Sequence, residues 1–202
     1  MAKVAGLFSV PHGKLAQLVF ATWKGIGYAR LYVIPGNPQT VAQTTVRTKF
    51  RKAVWFSKAI LSIVLQPYVD PFVKQVSAFA KCVGDFMDDS GDPTDYTALT
   101  ITSGNLEGTL ITGATYAGSA VTLTWSATCQ GNGQATDKAC CVIYDHTNHV
   151  AFINSAAARS AATANVTVGS GRNAGELHAF LFFTDSTSAP TTVSNSSAEA
   201  VS

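Results

Sequence analysis

Residues 121–125 read Val-Thr-Leu-Thr-Trp, a strict alternation of apolar and polar side chains of the kind a half-buried β-strand requires. Trp125 is expected to anchor the inner face of a sheet. Working outward, short segments of similar character recur with turn chemistry between them: Thr97 to Leu106, Ala120 to Thr128, Lys138 to Asp145, Val150 to Asn154, Ala164 to Val168 and Glu176 to Thr184. A last short strand is expected at Thr191 to Val193, within a polar tail that begins at Ser186. Strands of this length and density predict an Ig-like antiparallel β-sandwich over residues 91–202. Cys140 and Cys141 are adjacent on one strand and point to opposite faces, so one is expected in the core and the other at the surface.

Upstream, the texture changes. Asp88-Asp89-Ser90-Gly91-Asp92-Pro93 breaks the composition and marks the expected domain boundary; it lacks the ligand spacing, central glycine and terminal glutamate of a calcium loop and reads as a solvated linker. Residues 1–90 are expected to form a basic arm and helical assembly segment. Two apolar, β-rich runs flank Lys24-Gly25-Ile26-Gly27 and predict a hairpin or extended arm. Pro35-Gly36-Asn37-Pro38 then starts a helix over 39–66, with Val46, Phe50, Val54 and Leu61 at helical spacing and Pro67 as its stop. Asp70-Pro71 opens a second helix carrying Phe72, Val76, Phe79, Val83 and Phe86. The fold class is therefore α+β: an N-terminal extended arm or hairpin and a helical hairpin, followed by the sandwich.

Only 13% of the 202 residues are charged, while 47% are hydrophobic. An ordinary soluble domain carries roughly 25% charge. Either Ser, Thr, Asn and Gly cover much of the surface or part of it is buried against other subunits, and subunit contact is the favoured reading. The net charge of +2 conceals a division. Met1 to Ala80 carries ten bases and one acid, Asp70, for a net +9, and the remainder carries four bases and eleven acids, for a net −7. Such opposition favours head-to-tail contact between copies, or a basic face turned to an anion, although the same charges also suit the solvated faces of two helices. Arg47, Lys49, Arg51 and Lys52, flanked by Trp55 and Phe56, are candidate nonspecific phosphate or nucleic-acid contacts. Trp23, Tyr28, Arg30, Phe50 and Trp55 are the candidate assembly residues.

Catalytic chemistry is not indicated. Gly-x-Ser-x-Gly, a phosphate loop, Gly-x-Gly-x-x-Gly and His-Glu-x-x-His do not occur. Cys140-Cys141 with His146 and His149 has no standard zinc spacing, and His12 and His178 stand apart from any acid/base partner set. Neither an enzyme, a metal nor a cofactor is expected. Met1 to Phe8 lacks the apolar core of a signal peptide, and the longest apolar stretches are too short for a membrane span, so a protein made in the bacterial cytoplasm is expected.

Trp23-Lys24-Gly25, Tyr28-Ala29-Arg30, Asn37-Pro38-Gln39-Thr40, Ala42-Gln43, Arg47 and Lys49-Phe50 form a signature, W-K-G…R…N-P-x-T-x-A-Q…R-x-K-F. It resembles that of an uncharacterised family found in Bacteroidota and their phages and prophages, with a C-terminal β-sandwich. Thr136-Asp137-Lys138-Ala139 and Val142-Ile143-Tyr144 also fit that pattern. The resemblance implies a phage context; together with the absence of catalytic groups, that context points to a virion structural role: a coat, decoration or tail-associated subunit, homo-oligomeric and in contact with other virion proteins. Two other readings stay open: an Ig-like carbohydrate or cell-surface binding module on a helical base, and a nonspecific DNA-binding protein.

Overall fold

The computed structural model describes residues 2–3, 13–34, 36–37, 39–89, 96–187 and 190–202. The chain divides into two compact units, residues 1–40 and 41–202. The expected boundary near residue 90 fell on composition; compactness places the division between Thr40 and Val41.

The first unit is a small antiparallel sheet of β1 (Ala2–Lys3), β2 (Gly13–Leu15), β3 (Leu18–Trp23) and β4 (Ile26–Leu31), in the order β1-β4-β3-β2. Lys24 and Gly25, with φ of 50° and 78°, join β3 to β4. Two successive positive φ values suit the right-handed twist of a two-residue hairpin, and glycine reaches this region without strain. The expected hairpin is thus present, with its turn at Lys24-Gly25.

The second unit opens with α1 (Val41–Ile60), which runs without interruption into a π-helical stretch, Leu61–Val69, and a 3₁₀ turn, Asp70–Phe72. Pro67, read as a stop, lies inside the π-helical stretch. The second helix, α2 (Ala78–Asp89), starts eight residues later than Asp70. Phe72 and Val76, expected on it, lie before it. Ser77 is its N-cap, its Oγ accepting the Ala80 N–H at 3.2 Å, and the Asp70 carboxylate accepts the Ala78 N–H at 3.3 Å.

Seven strands follow: β5 (Ile111–Ala117), β6 (Ala120–Trp125), β7 (Lys138–Asp145), β8 (Val150–Ala158), β9 (Thr163–Thr167), β10 (Leu177–Thr184) and β11 (Ser197–Ala200). They form sheets ordered β5-β6-β9 and β11-β10-β7-β8, all pairs antiparallel. Named A to G along the chain, with β8 as C′, these are the A-B-E and G-F-C-C′ sheets of an Ig-like sandwich. Thr97 to Leu106 is not a strand: apart from a bridge from Leu106 to Ser194 it is irregular. The last strand is β11 rather than Thr191–Val193.

Both lateral openings of the sandwich are bridged. Asn154 Nδ2 donates to Asn165 O at 2.7 Å, between β8 and β9. Ser202 exchanges backbone bonds of 3.0 Å with Ala114 and Tyr116 of β5.

The core has three layers. Cys141, Ile143, Leu181 and Phe183 pack between the sheets with Val121, Leu123, Trp125 and Val166. On the other face of β7 and β10, Cys140, Val142, Tyr144, Phe180 and Phe182 pack under Ala53, Phe56, Ile60, Val64 and Phe86 of the helical layer. Every residue of β10 is buried, and all of β7 except Lys138. Both cysteines are therefore interior, which corrects the expectation of one at the surface. A sandwich strand has one wet face only while nothing covers it, and here the helices do.

Candidate functional site

Two surfaces hold the residues singled out from the sequence. On the N-terminal sheet, Trp23 ends β3 and is 65% exposed, with the Lys24 ammonium 5.1 Å from its ring. Tyr28 is half-buried opposite Ala21, and Arg30 is exposed opposite Val19. Leu15, Leu31, Val33 and Ile34 are each more than 65% exposed. Among the described residues of 13–40, only Gly27 is buried. The sheet is thus apolar by composition but has almost no interior of its own.

The other surface is α1. Its core stripe is Ala53, Phe56, Ser57 and Ile60. Val46 and Phe50 continue that side toward the N-terminus, where they are 57% and 52% exposed. Trp55 stacks on His149, ring centroids 4.1 Å apart, and keeps 39% exposure. The four cations do not converge. Lys49 reaches across to α2, donating to the Met87 carbonyl at 2.5 Å, where it satisfies one of the acceptors a helix C-terminus leaves over. Arg47 and Arg51, four residues apart, lie on one side of the helix, and Lys52 flanks the core on another. The candidate nucleic-acid contacts thus divide between a helix-pairing role for Lys49 and an outward pair, Arg47 and Arg51.

A family model matches residues 10–198. The chain belongs to that family, DUF6266, a family of unknown function. The match spans both units, taking in the hairpin, the helices and the sandwich. No curated protein and no solved structure matches the chain.

A polar and aromatic cluster invisible in the DUF6266 sequence read linearly lies between the helical layer and the end of the four-stranded sheet. His146 Nδ1 and His178 Nε2 are 2.9 Å apart. One hydrogen bond between two ring nitrogens needs one N–H and one lone pair, so only one facing nitrogen carries a proton. Tyr96 stacks over His146 at 5.8 Å and lies 4.5 Å from His178. Thirty-two residues separate the two histidines; the antiparallel register His178↔Tyr144 brings them together. Beside them, burial would raise the Asp145 carboxyl, but hydrogen bonds from Asn148 and Thr147 and the Arg172 guanidinium outweigh it and hold the group below the usual carboxylate range. Among the described residues, no group of three or more His, Cys, Asp or Glu is placed to hold a metal, and no helix is long and apolar enough to cross a membrane.

The cysteines give a direct check on the three-layer core. Burial pushes the thiols of Cys82 and Cys140 up to about 11 and that of Cys141 to about 12, whereas Cys129 is exposed. A raised thiol has little reactive thiolate near neutrality. Native protein treated with a thiol reagent at pH 7.5 should therefore label at Cys129 alone, with the other three reacting only after denaturation. Prompt labelling of Cys140 would show that the helices do not cover the sheet.

Proposed function

We propose that this protein is a self-assembling structural subunit of a phage virion, a coat, decoration or tail-associated component, whose N-terminal sheet packs on a neighbouring copy. The observation that carries the reading is the coreless sheet. Small isolated hairpins are marginal in water, and a contiguous apolar surface on a soluble chain marks a contact. Leu15, Leu18 and Leu31, aligned in one row across β2, β3 and β4, supply that surface on one face of the sheet, Trp23 and Ile26 are exposed on the other, and Val46 and Phe50 add a further apolar pair on α1. The low charge content and the division of +9 against −7 along the chain favour contact between unlike parts of successive copies. The virion setting rests on the resemblance to phage-associated sequences; contact with packaged nucleic acid would draw on the basic side chains of α1.

Light scattering and negative-stain microscopy across a concentration series test this. Regular shells, tubes or filaments are expected, and a chain lacking residues 1–35, or carrying Trp23→Asp with Leu31→Asp, should remain monomeric while keeping the circular dichroism of the sandwich. A full-length protein that stays monomeric up to millimolar concentration would end the proposal.

A further inference from the structure

A groove runs beside the helical turn Asp70–Phe72. Two adjoining cavities of about 250 and 240 Å³ share Phe72 and Ser103 as common wall. Together they fall within the range of ligand clefts, roughly 300–1,000 Å³. Phe72 stands between them, 41% exposed. The route by which it gets there is unusual. α1 passes into the π-helical stretch Leu61–Val69, which places Tyr68 and Val69 on the groove, and the 3₁₀ turn then presents Phe72. π-Helical segments are rare and frequently occur at functional sites.

The opposite wall is preformed. Residues 101–104 are irregular, yet their backbone is fastened side chain by side chain: the Ile101 N–H donates to Ser196 Oγ at 2.8 Å and the Gly104 N–H to Asn195 Oδ1 at 3.0 Å. The Thr102 hydroxyl donates to Ser194 O at 2.9 Å. A Cβ on Gly104 would lie 2.0 Å from the Val193 carbonyl oxygen, so only glycine allows this approach. Such bonds hold a loop in one shape without making it a strand.

The lining selects the ligand class. At one end Lys81 and Asp85 form an ion pair of 2.5 Å, each side chain about one third exposed. At the other end lie Ser103, Asn105 and Thr192. The paired charges cancel, which disfavours a phosphate or other strong anion as occupant. The groove lining includes no residue of a sheet strand, so an extended peptide has no strand edge to join there. What remains is an uncharged molecule with apolar C–H faces for an aromatic ring and many hydroxyls for a carboxylate, an ammonium, an amide and two further hydroxyls. We propose that the groove binds a neutral oligosaccharide, with a pyranose ring laid on Phe72, the Lys81–Asp85 pair hydrogen-bonding hydroxyls on one side and Asn105 with Ser103 and Thr192 doing so on the other.

An array of neutral and acidic oligosaccharides, probed with the labelled full-length protein, tests this. Concentration-dependent retention on neutral saccharides is expected. Phe72→Ala should reduce it on the order of tenfold or more, as loss of a stacking aromatic does, while Phe72→Tyr keeps it and Asp85→Asn weakens it. Phe72 is partly exposed and lies outside the core, so unchanged circular dichroism in Phe72→Ala shows that the fold survives. A blank neutral array, retention confined to acidic saccharides, or binding untouched by Phe72→Ala overturns the proposal. Particle size measured on the same samples reports assembly separately, so either proposal can fail alone.

Discussion

Replacing Arg159 with alanine is expected to remove about 3–5 kcal/mol of stability, the range for breaking a buried ion pair by deleting one partner. Arg159 is fully buried in the sandwich. Its guanidinium lies 3.4 Å from the Asp137 carboxylate, donates to the Glu107 carbonyl, and sits 4.0 Å over the Phe183 ring. Its backbone carbonyl accepts the Trp125 indole N–H at 2.9 Å, and its N–H donates to Asp137 O at 2.7 Å. Substitution therefore removes the cation while leaving Asp137 buried, with the Gln134 N–H at 2.8 Å as a remaining partner. The magnitude follows from that stranded carboxylate more than from the attraction between the ions. A control separates the two: Arg159→Met combined with Asp137→Leu should recover most of the loss, because a well-packed apolar pair of similar volume avoids desolvating either charge. Urea unfolding of the three proteins decides it. A single-variant loss below about 1 kcal/mol would mean that water reaches Asp137 and that the end of the sandwich is open.

The turn from 130 to 134 closes over this pair, and Gly133 shows how tightly. A Cβ there would meet Glu107 Oε2 at 2.5 Å and Arg159 Cζ at 3.2 Å. Trp125 was legible in the sequence as an inner anchor because its strand alternates. Arg159 was not, since a single arginine in an alanine-rich turn resembles a surface residue until the fold closes around it.

The same contrast runs through the rest of the chain. β7 was legible to the residue at Lys138–Asp145, because its run of apolar side chains is bounded by turn residues on both sides. Its environment was not legible: an apolar run says that a strand is buried but not by what, and here the helices take the second face. The apolar side of α1 runs from Val46 and Phe50 through Ala53, Ser57 and Ile60, and periodicity alone does not say how much of it is covered: burial begins at Ala53, leaving Val46 and Phe50 exposed. β5 escaped notice because Gly113 follows an irregularity in its pairing and its polar residues dilute the alternation. The groove was hidden by two local readings, Phe72 as part of a helix and Thr97–Leu106 as a strand. The Ser194 carbonyl and the side chains of Asn195 and Ser196, some ninety residues away, hold that segment, and no window of sequence contains both.

Phe56→Ala, on the opposite face of the four-stranded sheet, is expected to cost about 3–5 kcal/mol, the range for truncating a large buried aromatic. Phe56 is 1% exposed and meets Phe86, Tyr96, Tyr144 and Phe180 with centroid distances of 4.9 to 6.0 Å, edge-on to Tyr144 and tilted to the others. These rings come from α2, the segment at Tyr96, β7 and β10, so a single side chain ties the helical layer to the sheet. The form of the unfolding transition carries as much information as its midpoint. Composition suggests that helices and sandwich are separate domains joined near residue 90, in which case Phe56→Ala would melt the helices first and leave a sandwich transition at its original position. The shared core argues otherwise. If residues 41–202 fold as one cooperative unit, helix-sensitive circular dichroism and Trp125 fluorescence, read in a background of Trp23→Phe and Trp55→Phe, should shift together in one transition. Separate midpoints for the two probes would show that the helical layer folds independently of the sheet it covers.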